Sequence, residues 1–392
     1  MPEYDVTLNL PGFTIKKSSG FNPVIYDVKY HPAAKCVDCQ GVRLRKKDTF
    51  ERLVEHEMVG LRRVILRVRG NKYCCLDCGR YFRERFNGIL PRQRATEPAR
   101  KTTYYLHTKG VSRKELGELI GRSDGTISRW YSHVFDLEHR KRLSMQCPIV
   151  LGIDEHYFSK KQKVFATTLC DLRKNRVFDV VKGKSGVDLR GYFEQLEGKE
   201  RVQVVCMDLS SSYRSLVKKY FPKAKIVSDR FHVVRLVQHH LIKTALQLDP
   251  KLKEQRGLIR LMRMHQHNLA PMQRERLMLY LKGQPAVNAV YEHKEEWMEL
   301  LLKKNHTRKR AKPLARQFFQ LLHALKNMPI PSCQALARTL ESWQEEIGRM
   351  WRFTKSNGIT EGFHRKMKLI QRLAYGFRNF ENYRIRVKVL CS

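Results

Sequence analysis

Acidic residues are scarce in this chain of 392 residues, with 38 Asp and Glu against 77 Lys and Arg, so their positions are informative. Asp154 follows the apolar run 149–153, and Asp208 follows the run 202–207. Carboxylates at the ends of neighbouring strands project into a shared site and supply the oxygen ligands that hard divalent cations need. Two such cations about 4 Å apart clamp the attacking and leaving oxygens of an in-line phosphoryl transfer. A single Asp after a strand is more commonly a turn or helix cap, and a metal site of this kind usually needs a third acid.

Cysteine offers a second chemistry. Five of the ten cysteines stand alone (Cys147, Cys170, Cys206, Cys333, Cys391), as buried free thiols do, and five cluster as Cys36-Val-Asp-Cys39 and Cys74-Cys75-Leu-Asp-Cys78. The opening residues MPEYDVTLNL lack the basic and apolar regions of an export signal, so paired knuckles point to zinc and not to disulfides. Tetrahedral zinc takes four ligands, two from each knuckle. Cys36, Cys39, Cys75 and Cys78 have the required spacing, Cys74 is spare and His56 is an outside candidate. Gly41 and Gly79 follow the knuckles, where left-handed residues let backbone amides turn toward sulfur. The 36 positions from Cys39 to Cys75 fit a ribbon with an inserted hairpin.

These groups need elements to position them. Residues 1–95 are turn-rich and strand-like, with basic alternation in Leu61–Arg69, and 96–145 read as helices. Ser112 and Glu115 form a capping box, Gly121 ends that helix, and Thr126–Val134 follows with Ile127, Trp130 and Val134 inward and Ser128, Arg129 and Ser132 outward. A helix, a glycine turn and a polar-faced helix form the arrangement that docks in a major groove. From residue 148 three strand-like runs, a helix near 189–196, a strand, a helix near 213–220 and a further strand imply α/β layering. Residues 232–350 are long, charged and helical, broken at Asp249-Pro250, Gly283-Gln284-Pro285 and Pro329-Ile330-Pro331. The formal net charge of +39 is spread along the chain, as befits a polyanionic partner. No apolar run reaches the roughly 18 residues of a membrane span.

Three stretches carry a resemblance: LGIDEHYFSKKQKVFATTLCDL from Leu151, VVCMDLSSSYRSLVKKYFPKAKIVSDRFHVVRLV from Val204, and SNGITEGFHRKMKLIQRLAYGFRNFENYRIRV from Ser356. Together they resemble the DDE transposases of bacterial insertion sequences, nearest to the ISL-three type. The resemblance implies a multidomain α+β chain: a zinc ribbon (1–95), a helix-turn-helix (96–145), and an RNase H-like mixed-sheet catalytic core in two parts (146–245 and 351–392) interrupted by an all-helical insertion (246–350). It matches the family's acids to Asp154 before Glu155-His156, Asp208 after Met207, and Glu361 in a Ser356-Asn357-x-x-Thr360-Glu361 pattern. An Asp-x-x-His step is matched by Asp229 and His232. The extra Cys74 departs from the family pattern.

Helical spacing supports the third acid independently. In a final helix over about 359–374, Phe363, Met367, Ile370 and Ala374 form an apolar face, while Glu361, Arg365, Lys368 and Arg372 form another stripe able to bind metal and grip phosphates. The expected function is a cytoplasmic, nucleoid-associated DNA transposase that cleaves and joins the ends of an insertion sequence. Mg²⁺ or Mn²⁺ would sit at Asp154, Asp208 and Glu361, and structural Zn²⁺ at the cysteines. Its expected partners are double-stranded DNA and further copies of itself, with no membrane. Alternatives are an RNase H-like nuclease without strand transfer, or a zinc-ribbon and helix-turn-helix regulator.

Overall fold

The computed structural model describes residues 8–143, 146–159, 162–304, 307–353 and 358–391. They divide into two compact units, the first ending at Leu143 but including Leu373–Gly376, the second holding the remainder.

The first unit is built on strands β1 (Phe13–Ser19), β2 (Val24–Tyr30), β3 (Leu44–Val59), β4 (Arg62–Cys75) and β5 (Tyr81–Arg83). The sheet runs β1-β2-β4-β3 with β5 also on β4, and it is mixed because β2 and β4 are parallel. The basic alternation lies in β4, where Val64, Leu66 and Val68 are buried with Val54, Phe13 and Phe86. β3 and β4 form the hairpin inserted between the knuckles: it turns at Gly60 and ends on the pair Leu44↔Cys75. Helices α1 (Glu97–Thr108), α2 (Arg113–Ile120) and α3 (Asp124–Leu143) follow. The capping box forms, with Ser112 Oγ accepting from the Glu115 amide at 3.2 Å and Glu115 Oε2 accepting from the Ser112 amide at 2.8 Å. Left-handed Gly121 ends α2, and Leu116, Ile120, Ile127 and Trp130 form one core with Ala95. α3 runs nine residues past the expected Val134, through a largely polar tract that offers no apolar stripe to read.

The second unit has strands β6 (Val150–Ser159), β7 (Val164–Asp171) and β8 (Arg176–Lys182), then α4 (Gly186–Gln195), β9 (Val204–Met207), α5 (Ser211–Tyr220), β10 (Lys225–Ser228) and α6 (Arg230–Leu248). This is the element order expected from the apolar runs. Its sheet runs β10-β9-β6-β7-β8, with β10, β9 and β6 parallel and β7 antiparallel to both its neighbours. Helices α7 (Arg256–Arg263), α8 (Pro271–Lys282), α9 (Pro285–Leu302), α10 (Arg308–Asn327), α11 (Pro331–Ser342) and α12 (Gln344–Arg349) fill the interval before α13 (Gly358–Leu373) and α14 (Phe380–Leu390). Leu151, Ile153, Val205 and Met207 share a core with α5, α6 and these intervening helices, while Ala166, Cys170 and Cys206 face α13 and α14. Arg230, only 6% exposed, anchors the intervening helices beside the strand ends by donating to the carbonyls of Lys303 (3.1 Å) and Met350 (2.9 Å). The chain is thus a mixed α+β protein with two mixed sheets. No helix among the described residues is long and apolar enough to cross a membrane.

Candidate functional site

The parallel register aligns Ile153, Met207 and Ser228, so Asp154, Asp208 and Asp229 each stand one residue beyond the same rung. β6 does not end before Asp154 as the apolar run suggested. It continues to Ser159 because its other edge pairs with β7, and Asp154 marks where pairing with β9 stops. Strand alternation puts Asp154 on the α13 side and Glu155 on the opposite face, within 3.5 Å of Lys184. Asp208, one residue beyond the end of β9, feels the charges of both Glu155 and Asp229. Asp171 is a turn cap, accepting from the amides of Arg173 and Lys174.

The electrostatics of this strand end are adverse to acids. Burial raises the Asp154 carboxyl to about 6, opposed by the Glu155 amide at 2.8 Å and by His232, and reinforced by the charges of Asp208 and Asp229. Burial also raises Asp208, whose Oδ1 is buried without a hydrogen-bond partner. Asp229 is 3% exposed at the start of α6, and His232 Nε2 lies 3.7 Å from its Oδ2. An orphaned buried carboxylate oxygen with two further carboxylates at the same strand ends offers the oxygen chemistry that a hard cation takes. Among the described residues, however, the ligand atoms of the three aspartates do not lie within 4.8 Å of one another.

Glu361 lies on α13, which covers this face. Its side chain is 56% exposed and pairs with Arg365 at 2.7 Å. Among the described residues, it does not come within a few ångströms of the aspartates as part of a ligand cluster. One turn further on, His364 brings Nδ1 to 3.9 Å from Asp154 Oδ2. Thr168 Oγ1 lies 3.1 Å from His364 Nε2 and 3.0 Å from His156 Nδ1, and His156 Nε2 lies 2.8 Å from the Tyr383 hydroxyl. This chain ties α13 and α14 to β6 and β7. Sequence reasoning missed His364. Its signal was the Glu-x-x-His spacing, which puts both side chains on one helix face. Arg365, Lys368 and Arg372 are exposed on α13, while Met367 and Ile370 are buried. Ser356 and Asn357 lie outside the described residues.

In the first unit the sulfurs of Cys36, Cys39, Cys75 and Cys78 lie within 4.8 Å of one another. Cys36 is 3.6 Å from Cys78, and Cys39 is 3.6 Å from Cys75. Cys74 points elsewhere, toward the carbonyls of Cys75 and Gly79. His56 is also outside the group, bonded to Thr96 and the Leu8 carbonyl. Amides of Asp38 and Cys39 directed at its sulfur lower the Cys36 thiol to about 7. The left-handed residues are Gln40 and Gly79, each directly after its knuckle. Gly41 is not left-handed; a Cβ there would meet the Asp77 carboxylate, which would have to move aside. On α3, Ser132 and Arg129 are exposed, and Ser128 is half-buried and accepts from Arg113 at 3.2 Å.

Residues 151–387 match a protein family described as transposase, the DDE family of the ISL-three type. The chain is also 24% identical over 377 residues to the transposase for insertion sequence element IS1001 of Bordetella parapertussis, covering 91% of this chain and 89% of that protein. It is 26% identical over 110 residues to an ATP-dependent protease of Lactococcus lactis subsp. lactis, covering 28% of this chain and 32% of that protein.

Proposed function

This chain belongs to the ISL-three family of DDE transposases, and from that premise we propose that Asp154, Asp208 and Glu361 form its catalytic triad in an RNase H-like domain with a helical insertion. The orphaned oxygen of Asp208, in register with Asp154 and Asp229, carries the reading. The three acids would hold Mg²⁺ or Mn²⁺ through carboxylate oxygens. Such ions supply activation of the attacking oxygen and charge stabilisation at the scissile phosphate. His232 and Asp229 orient the aspartates from the start of α6. Arg365, Lys368 and Arg372 grip phosphates along the exposed face of α13.

Cys36, Cys39, Cys75 and Cys78 would hold one structural Zn²⁺ that closes the open end of the β3–β4 hairpin. The first unit binds the terminal repeats, with α3 in a major groove and Ser128, Arg129 and Ser132 toward the bases. An element has two ends to cut, so the working form is a homodimer or higher homo-oligomer on DNA.

The test is incubation of the protein with Mg²⁺, labelled end DNA and a target plasmid. Joined strand-transfer product on a gel is expected. Cleavage without joining reduces the activity to that of a nuclease, and no cleavage overturns the catalytic reading. Base reading has its own test: Arg129→Ala should cut the preference for end DNA over random duplex by about tenfold or more, the worth of one good base contact. Equal losses of affinity on both duplexes would remove Arg129 from base recognition.

A further inference from the structure

Beside the first turns of α3 lies a cavity of about 470 Å³ lined by five arginines, Arg92, Arg94, Arg100, Arg122 and Arg129, and by no acidic residue. Arg122 is neutralised by Glu55, which it shares with Arg63 at 3.0 and 3.1 Å. The others have no such partner among the described residues. Arg100, on α1, is the most unusual. It is 3% exposed, its Nε is buried without a hydrogen-bond partner, and its side chain makes no hydrogen bond or ion pair among the described residues. Glu97 acts on it electrostatically from the same helix without pairing. A buried unpaired guanidinium is costly, and such groups persist where an anion completes them.

The surrounding backbone is held in place. Arg92 is in the left-handed conformation, with φ +60°, which a non-glycine residue adopts at a cost in backbone strain. The carbonyl of Gln93 accepts from Arg52, and the carbonyl of Arg94 accepts from the Glu55 amide at 2.9 Å. Thr96 then caps α1 and meets buried His56 at 2.9 Å. Arg92 and Arg94 also line a second cavity of about 710 Å³, which adds Arg52, Arg80, Arg83 and Arg85. Its one acid, Glu84, is engaged by the Asn71 amide at 2.9 Å. The cationic track is therefore longer than a single phosphate requires, as a polymer of phosphates would need.

We propose that the loop Pro91–Arg94, with the first turns of α1 and α3, forms a pocket for a phosphodiester of the DNA backbone, completed by buried Arg100. Backbone phosphate contacts carry no sequence information but fix the register of a reading helix, and Thr126 and Arg129 of α3 line the same pocket. This rests on the reading that the first unit binds DNA. Sequence signals were weak, because Arg100 sits in an ordinary helical Ala-Arg-Lys run.

The test uses the full chain and a random-sequence duplex of about 30 base pairs, since a phosphate site is indifferent to sequence. Anisotropy titrations across a KCl series give affinity and salt slope. Arg100→Met is expected to bind about tenfold more weakly, with a slope shallower by about one ion. Its Tm should hold or rise, because a buried unpaired charge has been removed. Arg94→Gln, at an exposed position, should move affinity and slope the same way at constant Tm. Wild-type slope and affinity in both variants overturn the pocket. So does a weakened, destabilised Arg100→Met beside an unaffected Arg94→Gln, which would make Arg100 structural. Saturable binding of inorganic phosphate that Arg100→Met loses, with an unchanged duplex slope, would reassign the site to a free anion. Failure of the wild-type protein to bind duplex at all would instead overturn the DNA-binding reading beneath the proposal.

Discussion

Asp154→Asn and Asp208→Asn are expected to abolish end cleavage and strand transfer while making the protein, without added Mg²⁺, harder to unfold. Each carboxylate contributes oxygens that the cation would need. Losing one should remove several kcal/mol of transition-state stabilisation, or at least about a thousandfold in rate. The stability effect has the opposite sign. Asp154 and Asp208 are largely buried, repel Asp229 and each other's neighbours, and leave Asp208 Oδ1 unpartnered. An acid whose pKa is raised by folding is stabilising only while protonated. For Asp154 the native state therefore loses stability as pH rises from the ordinary aspartate value of 3.8 through about 6, and the penalty is full above that. At neutral pH the asparagine removes a cost of about 1–3 kcal/mol, a rise in Tm of several degrees. Glu361→Gln should lose activity equally but leave Tm unmoved, because its side chain is 56% exposed and its Arg365 pair is a surface one. Labelled-end cleavage, thermal melts and a mobility shift on the same preparations separate these outcomes. A variant that cuts at the wild-type rate is not a ligand of the reacting centre, and an asparagine variant that melts early and still cuts marks its aspartate as structural.

The contrast between those acids also shows what sequence could disclose. Asp154 and Asp208 were legible because apolar runs of strand length end in them, and the register between β6 and β9 then sets them side by side. The order of strands and helices in the second unit was legible for the same reason, since apolar runs bounded by polar turns have few other readings. Contacts across long separations were not. Thr168 meets His364 across 196 positions, and nothing in the local spacing of either announces it. The continuation of β6 past Asp154 was hidden because pairing with β7 changes which edge holds the strand, without changing the residues before it. In the first unit, apolar alternation disclosed β4, while the charged half of α3 and the isolated cation Arg100 gave no periodic signal. Burial of a charge is a tertiary property and leaves no mark on spacing.

Zinc affords the second large effect, and Cys74 supplies the control. Cys36→Ser, Cys39→Ser, Cys75→Ser and Cys78→Ser should each abolish stoichiometric zinc, whereas Cys74→Ser should retain one ion per chain. The four sulfurs form one cluster and the fifth points to carbonyls outside it. A closed four-ligand site contributes about 10–16 kcal/mol of binding free energy in small zinc domains, and that energy is folding energy. Here its reach should be local. The pair Leu44↔Cys75 is the last rung of the hairpin, and β5 hangs on the same end at Lys72–Cys74. The apolar core of Phe13, Val54, Leu66 and Phe86 has no cysteine in it, and neither does the helical core of Leu116, Ile127 and Trp130. Hydrogen exchange on the Cys75→Ser protein should therefore show protection lost across 33–46 and 72–83 and kept across 97–140. DNA affinity should fall with it, because Arg80 and Arg83 lie on the freed segment. Zinc retained by Cys75→Ser, or lost by Cys74→Ser, would reverse the ligand choice. Loss of protection throughout the helices would show that the metal organises the whole unit, as it does in fingers too small to have a core of their own.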